Sequence, residues 1–330
     1  MKNTASGALF GLAYGDALGK PTEFQTYAEI VAEYGPQGPR ELTGEPALVT
    51  DDTQMTLAVG EGILAAGAFT PEALAPAWRD AFVAWASSPD NNRAPGMTCL
   101  RACGMLAEGR GWVEASQIGS NGCGANMRVA PVALVPGLSD DELAGGAQLQ
   151  AGLTHGHPTG LAASELTAYA IKLLRDGLAP NDLIAALRAR SAQQRTVYRG
   201  DWLGDLWKRS RERSAEEFIA LGWDESAAAL ERVAEGLAAG PFEGDPCLVT
   251  GAGWVAEEAL ATALYCYLIS PGDPVAVVAR GAASSGDSDS IACLAGSFAG
   301  AALGMPAWPD SWSQRIEYRD RLTRLGSTWD

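Results

Sequence analysis

Two short acidic clusters each stand directly before an apolar, helix-like segment. The first is Thr50–Thr53, which contains Asp51 and Asp52, and the second is Gly286–Ser290. Acidic and hydroxyl side chains favour helix starts, where they accept hydrogen bonds from free N–H groups. One capping residue is enough, however, and each cluster supplies a pair of carboxylates with hydroxyls beside them. Such an oxygen-only ligand set suits Mg²⁺ or Mn²⁺, so the two clusters brought together could hold a two-metal centre.

A glycine-dense segment runs from Gly119 to Arg128 and ends in residues that favour a helical turn. Its backbone N–H groups are suited to binding a phosphate, although surface loops are also commonly rich in glycine. The two histidines of the chain, His155 and His157, stand in a second short loop before a helix. Their number excludes a His-rich zinc site, and either of them could cap the helix, be exposed or bind a ligand.

Composition limits the classes of protein to consider. The chain has 330 residues, 47% of them hydrophobic, and a formal net charge of −16. That charge argues against nucleic acid as the principal partner, and no apolar run reaches the ~20 residues of a membrane span. The six cysteines form no C-x-x-C pair and four lie in apolar surroundings, so we expect a cytoplasmic protein without disulfides.

Helical periodicity dominates the chain, and it predicts one all-α domain over residues 1–330. The best strand candidate is the short run Pro246–Thr250. Apolar residues recur at helical spacing in segments 54–67, 71–87, 97–108, 140–151, 160–177, 180–192, 225–239, 254–268, 273–284 and 289–304.

Glycine recurs every fourth residue near both ends of the chain, from Gly7 to Gly19 and from Gly296 to Gly304. A glycine inside a helix costs about 1 kcal/mol relative to alanine, so such a stripe needs a compensating contact. Close approach of two helix backbones would supply it. We therefore expect the two chain ends to pack together in the core.

These motifs, in this order, resemble the ADP-ribosylglycohydrolase family, which includes dinitrogenase-reductase-activating glycohydrolases and ADP-ribosyl-acceptor hydrolases. The resemblance extends over residues 7–304. Ser288 and Ser290 stand where the family commonly has threonine, and serine keeps the hydroxyl. The segments that carry the resemblance are Gly7 to Glu23, Thr50–Thr53, Asn92–Thr98, Gly119–Arg128, Thr154-His155, Gly253–Leu260 and Gly286–Ser290.

The resemblance implies a compact all-α bundle of orthogonal helices with a binuclear Mg²⁺ or Mn²⁺ centre. The implied metal ligands are Thr50, Asp51, Asp52, Asp287, Asp289 and Ser290, with Asp289 bridging the two ions. The implied substrate-binding residues are Ser120, Asn121, Gly122, Cys123, Gly124, Met127 and His155. Asp52 or Glu23 would take the proton of the attacking water, and the sequence does not choose between them.

The activity implied by this resemblance is hydrolysis of the glycosidic bond between ADP-ribose and an acceptor, with protein arginine favoured. A serine-linked or small-molecule ADP-ribose conjugate is the second candidate substrate. Two further candidate functions are hydrolysis of another ribosyl metabolite, and non-catalytic ADP-ribose binding or a structural role on the same scaffold. The presence of all four motif aspartates argues against a non-catalytic protein.

Overall fold

The structure is a computed structural model that describes residues 2–240 and 242–330. Within those residues the backbone forms α-helices and short 3-10 turns, and β-pairing is limited to two isolated bridges. The all-α fold class predicted from the sequence is therefore confirmed. The helices are α1 (Thr4–Gly19), α2 (Tyr27–Tyr34), α3 (Asp51–Ala66), α4 (Pro71–Ala86), α5 (Met97–Ala107), α6 (Trp112–Ala115), α7 (Ala130–Leu134), α8 (Asp140–Gly152), α9 (Pro158–Arg175), α10 (Leu183–Gln194), α11 (Gly200–Leu203), α12 (Ala215–Ala238), α13 (Cys247–Thr250), α14 (Ala256–Leu268), α15 (Pro274–Ala282), α16 (Ser288–Leu303), α17 (Asp310–Arg315) and α18 (Arg319–Trp329).

Helices α1 and α16 form the centre of the molecule and are buried on all sides over most of their length. Their glycines face one another, as the sequence predicted. A Cβ atom on Gly7 would lie 2.6 Å from the carbonyl oxygen of Gly300, and one on Gly19 would overlap the backbone at Asp289. The two backbones are therefore in direct contact, and the last turn of α1 lies beside the first turn of α16.

A buried carboxylate joins α1 to the start of α3. Asp16 is fully buried and accepts hydrogen bonds from the backbone N–H of Thr50 at 2.9 Å and of Thr53 at 3.0 Å. It also accepts the Thr53 hydroxyl at 2.5 Å. Because α1 contacts the starts of both α3 and α16, the two acidic clusters lie at the same place in the fold.

The best strand candidate, Pro246–Thr250, is not a strand, because Cys247–Thr250 forms the short helix α13. The Asp245 carboxylate accepts a hydrogen bond from the Cys247 N–H at 3.0 Å, and proline is well suited to a first helical turn. The Thr250 hydroxyl bonds the Thr262 hydroxyl at 2.7 Å. These local contacts outweigh the strand preference of the β-branched residues.

All six cysteines are free, and all except the half-buried Cys247 are buried. Among the described residues, we find no helix that combines the length and the apolar character needed to span a membrane.

Candidate active site

A cavity of about 210 Å³ opens where the two acidic clusters meet. The start of α3 contributes two carboxylates, the start of α16 contributes two more, and the turn after α1 contributes a fifth. The two clusters expected to converge are thus side by side. The lining residues are Glu23, Asp51, Asp52, Ala94, Gly96, Met97, Thr98, Gly122, Cys123, Gly124, Met127, His155, Trp254, Asp287, Asp289 and Ser290.

Helix capping explains only part of the two clusters. Thr50 is the N-cap of α3, and its hydroxyl accepts a hydrogen bond from the Asp52 N–H at 3.4 Å while it bonds the Asp52 carboxylate at 3.2 Å. Asp287 occupies the N-cap position of α16, but its side chain makes no capping hydrogen bond. The Asp287 carboxylate is therefore free for another role, unlike the ordinary capping residue.

The carboxylates at this cavity lie close to one another. Among the described residues that line the cavity, none is a lysine or an arginine. One carboxylate oxygen each from Glu23, Asp287 and Asp289 lies within 4.8 Å of the other two. Burial and then the charge of Asp289 raise the pKa of Glu23 to about 9 and hold that of Asp52 well above its usual range.

One oxygen in this cluster has no hydrogen-bond partner among the described residues. Asp52 is 2% exposed, and its Oδ1 atom is buried without a hydrogen bond. An unpaired buried carboxylate oxygen is costly, and so are like charges held together away from water. The donor set contains only oxygen, which divalent Mg²⁺ and Mn²⁺ prefer. The residues present therefore fit a divalent cation.

Asp16 is a site residue to which the sequence reasoning gave no role. It orients the first turn of α3 through its bonds to Thr50 and Thr53, and burial followed by the charge of Asp289 raises its pKa to about 7. A charged residue within an otherwise apolar, glycine-striped helix was the signal that could have identified it.

The glycine-dense loop forms the opposite wall of the cavity. It ends in a 3-10 turn at Cys123–Ala125, the helical turn expected there. The Cys123 N–H donates to the Trp254 carbonyl at 3.2 Å, and the Ala256 N–H donates to the Asn121 carbonyl at 2.8 Å. The segment before α14 thus holds the loop in place. Of the predicted substrate-binding residues, Gly122, Cys123, Gly124, Met127 and His155 line the cavity.

Three predicted site residues lie beside the cavity and not on its wall. Ser120 lines a neighbouring cavity of about 570 Å³, and its hydroxyl bonds that of Thr98 at 2.9 Å. Thr98 and Met97 line both cavities and so join them. Neither Asn121 nor Thr50 lines either cavity, and the Thr50 hydroxyl contacts the acidic cluster through its bond to Asp52.

The two histidines have different positions. His157 caps α9, where its ring accepts a hydrogen bond from the Thr159 N–H at 3.3 Å. His155 is buried at the cavity, where burial and then the charge of Arg128 lower its pKa to about 3. Its imidazole is therefore neutral at physiological pH.

Comparison with known proteins agrees with this geometry. The chain matches the family model for ADP-ribosylglycohydrolase over residues 1–329. It belongs to the ADP-ribosylglycohydrolase family. It is similar to a solved structure described as an ADP-ribosylglycohydrolase-related protein complex, with a TM-score of 0.69 and 26% identity. That similarity covers 98% of this chain and 96% of the other.

Two relatives illustrate the range of the ADP-ribosylglycohydrolase family. The chain is 36% identical over 161 residues to the ADP-ribosyl-[dinitrogen reductase] glycohydrolase of Rhodospirillum rubrum, which is 47% of this chain and 52% of that protein. It is 27% identical over 337 residues to human ADP-ribosylhydrolase ARH3, covering 94% of this chain and 88% of the relative.

An exposed aromatic pair at the cavity mouth was not singled out from the sequence. Phe24 and Trp254 stack with ring centroids 6.1 Å apart and planes 17° from parallel. Phe24 is 75% exposed and directly follows Glu23, while Trp254 is 46% exposed and lines the cavity. Trp254 itself and Glu23, the neighbour of Phe24, were part of the family resemblance, but nothing in the sequence indicated that the two rings meet.

Proposed function

We propose that this chain is a metal-dependent hydrolase that cleaves the glycosidic bond between ADP-ribose and a protein arginine. The observation that carries the proposal is the carboxylate cluster, which has no lysine or arginine among the described residues that line its cavity and contains the unpaired Asp52 Oδ1 atom. Membership of the ADP-ribosylglycohydrolase family supports ADP-ribose as the group that is bound. The R. rubrum relative, whose name specifies a modified protein, supports a protein acceptor.

Two divalent cations would be held between the starts of α3 and α16. Thr50, Asp51 and Asp52 would ligate one ion, and Asp287, Asp289 and Ser290 would complete the second. Bound there, the ions would orient the ribose hydroxyls and a water and stabilise developing negative charge. Asp289 would contribute to the binding of both ions, because its charge raises the pKa of five neighbouring carboxylates. These are Asp16, Glu23, Asp51, Asp52 and Asp287.

In the proposed reaction, water attacks the anomeric carbon of the ribose next to the acceptor. A carbon–oxygen bond forms and the carbon–nitrogen bond to the arginine breaks through an oxocarbenium-like transition state. The electron pair of the broken bond stays on the guanidine nitrogen, which takes up one proton and so balances the proton that the water loses. Asp52, fully buried, or Glu23, half-buried on a turn, accepts the proton of the water. Glu23→Gln separates the two, because Asp52 is also a proposed metal ligand. If Glu23 is the proton acceptor, this variant lowers kcat with metal binding retained, and unchanged kcat assigns the role to Asp52.

The remainder of ADP-ribose would extend along the glycine-dense loop. Gly122 to Gly124 and His155 would contact the diphosphate, and the neighbouring cavity would receive the distal end of the molecule. Arg101 and Arg209 line that second cavity and are cationic residues in a strongly acidic protein. Their charges would attract the diphosphate, which lies in the middle of ADP-ribose, and so direct the adenosine beyond it into the second cavity.

The aromatic pair at the mouth favours a cationic acceptor. A guanidinium is planar, stacks on aromatic faces and is attracted by neighbouring carboxylates. Trp254 offers an exposed ring face beside Glu23, Asp51 and Asp287, which line the same cavity. Arginine meets this combination of ring and charge, whereas a serine acceptor has neither a positive charge nor a flat surface.

The test is hydrolysis of arginine-, serine- and aspartate-linked ADP-ribose, each with Mg²⁺, with Mn²⁺ and with chelator. We expect release of ADP-ribose from the arginine conjugate with metal and none with chelator. Release from the serine conjugate alone would overturn the acceptor assignment, and tight binding without any release would indicate a non-catalytic family member.

A variant of the mouth tests the acceptor more finely. Trp254→Ala should lower kcat/KM for the arginine conjugate about 5- to 10-fold, as expected for a cation–π contact worth about 1 kcal/mol. Affinity for free ADP-ribose should not change. Leu248→Ala, which removes a side chain from a residue that is 78% exposed outside the cavity lining, is the matched control. Equal losses for arginine and serine conjugates would contradict the role given to Trp254.

A further inference from the structure

The guanidinium of Arg128 is completely buried behind the cavity wall. It lies over the ring of Phe82 at 4.4 Å, and its Nε and Nη2 atoms donate to the side chain and carbonyl of Gln150 at 2.9 and 2.8 Å. Nη2 also donates to the Thr154 hydroxyl at 2.8 Å. Among the described residues, its hydrogen-bond partners are Met55, Cys99, Gln150 and Thr154, so none is a carboxylate.

The donors and acceptors in this chain of contacts follow from the chemistry of the groups and from their burial. A guanidinium only donates hydrogen bonds, so the Thr154 oxygen accepts from Arg128 and its own proton remains available. The Thr154 hydroxyl lies 2.8 Å from the Nδ1 atom of His155. Thr154 is fully buried, and among the described residues Nδ1 is the one acceptor within reach of its hydroxyl proton. A hydroxyl that accepted from Nδ1–H instead would leave that buried proton without a partner, which is costly. We therefore assign the hydroxyl as the donor and Nδ1 as the acceptor. In the neutral ring, the proton is then on Nε2.

The Nε2 atom of His155 faces the glycine-dense loop. A Cβ atom on Gly124 would lie 3.3 Å from Nε2, and one on Gly122 would lie 3.6 Å from it. The ring edge thus lies where those glycines leave space at the cavity wall. An N–H group at this point can donate a hydrogen bond to an oxygen of a bound molecule, and it cannot accept one.

We propose that Arg128 and Thr154 are positioning residues that hold His155 in the Nε2–H tautomer, so that the cavity presents a fixed hydrogen-bond donor to a phosphate oxygen. The tautomer follows from the contacts in the unliganded chain. The identity of the acceptor as the diphosphate of ADP-ribose rests on the proposed function. The neutral His155 ring can donate this hydrogen bond without placing a second positive charge beside Arg128.

The tautomer can be read directly, because His155 and His157 are the only histidines in the chain. Long-range ¹H–¹⁵N correlation spectra of the labelled full-length protein without ligand distinguish a protonated from an unprotonated ring nitrogen, and His157→Gln assigns the signals. We expect one ring with Nδ1 unprotonated and Nε2 protonated. Protonation of Nδ1 in the wild-type His155 ring would overturn the proposal at once.

Variants at Thr154 connect the tautomer with binding. Thr154→Val removes the donor, so His155 should populate both tautomers, and affinity for ADP-ribose, measured by calorimetry, should fall about 5- to 10-fold. Thr154→Ser keeps the hydroxyl and should restore both properties. Thr167→Val, which removes a buried hydroxyl without a partner elsewhere on α9, is the control and should change neither.

The outcomes separate this inference from the proposed function. Unchanged affinity in Thr154→Val, with the tautomer lost, would refute the positioning role while leaving the hydrolase proposal intact. The expected tautomer in a protein that does not bind ADP-ribose would instead refute the ligand, and with it the proposed function.

Discussion

The sharpest prediction concerns the sign of a stability change on removing one carboxylate. Asp289→Asn replaces a buried charge that lies among other carboxylates with a neutral side chain of nearly the same shape. Without metal, the variant should be more stable than the wild type, because repulsion is relieved. With Mg²⁺ or Mn²⁺, the order should reverse, because the variant lacks a ligand.

The magnitude follows from the geometry. Two unit charges 4.8 Å apart repel by about 3 kcal/mol at an effective dielectric constant of about 20. Partial protonation of the cluster reduces this repulsion, so we expect the metal-free variant to gain about 1–3 kcal/mol. A cation at about 100 times its Kd stabilises the wild type by about 2.7 kcal/mol, or about 5 °C in Tm for a protein of this size. The variant should gain little of that.

The assay is thermal unfolding of both proteins with chelator and with each metal, alongside Asp80→Asn as a control at an exposed carboxylate. The control should respond to metal like the wild type. If Asp289→Asn keeps the full metal-dependent rise in Tm, Asp289 is not a ligand. If the metal-free variant is less stable than the wild type, the hydrogen bond from the Ser290 N–H to Asp289 matters more than charge repulsion.

Three further predictions concern packing, positioning and pH. Gly300→Ala should prevent folding, because the added Cβ would overlap the backbone at Gly7. Gly104→Ala, where the Cβ would point into open space on α5, should stabilise the fold by about 0.5–1 kcal/mol. Thermal melts followed by circular dichroism compare the two variants. Asp16→Asn should lower the free energy of unfolding by about 2–3 kcal/mol, because Thr53 and the start of α3 lose an acceptor. It should also weaken metal binding as measured by calorimetry. An unchanged affinity for the metal would contradict the positioning role of Asp16. Burial lowers the pKa of His155 to about 3, against about 6.5 in the unfolded chain. The contribution of His155 to the free energy of unfolding is therefore full above pH 6.5. It falls by about 1.4 kcal/mol per pH unit as the pH decreases towards 3, because the unfolded chain then binds a proton that the folded chain does not. Urea unfolding of wild type and His155→Gln at pH 7 and pH 5 should show that difference shrinking.

Local patterns in the sequence predicted much of this fold. Apolar spacing gave α4 and α5 to within a residue at each end, because burial of one face imposes the helical period. The glycine stripes predicted the contact of α1 with α16, because only a backbone-to-backbone approach compensates for so many helical glycines. The helix predicted at 225–239 in fact begins at Ala215, where Ser214 caps it.

The tertiary contacts of the site lay beyond such patterns. The run Pro246–Thr250 has β-branched residues, but the Asp245 side chain and a hydroxyl pair across elements decide its structure. The partnership of Phe24 with Trp254 joins residues far apart in the chain, so no local period reveals it. The acidic clusters were visible because each is contiguous, whereas the role of Asp16 depends on the approach of α1 to α3.

The most direct measurement of the central claim is release of ADP-ribose from an arginine-linked conjugate by the full chain, followed chromatographically with metal and with chelator. The account predicts metal-dependent release by the wild type and none by Asp289→Asn at the same protein concentration. Release that persists in chelator, or in folded Asp289→Asn, would contradict a reaction carried out at the carboxylate cluster.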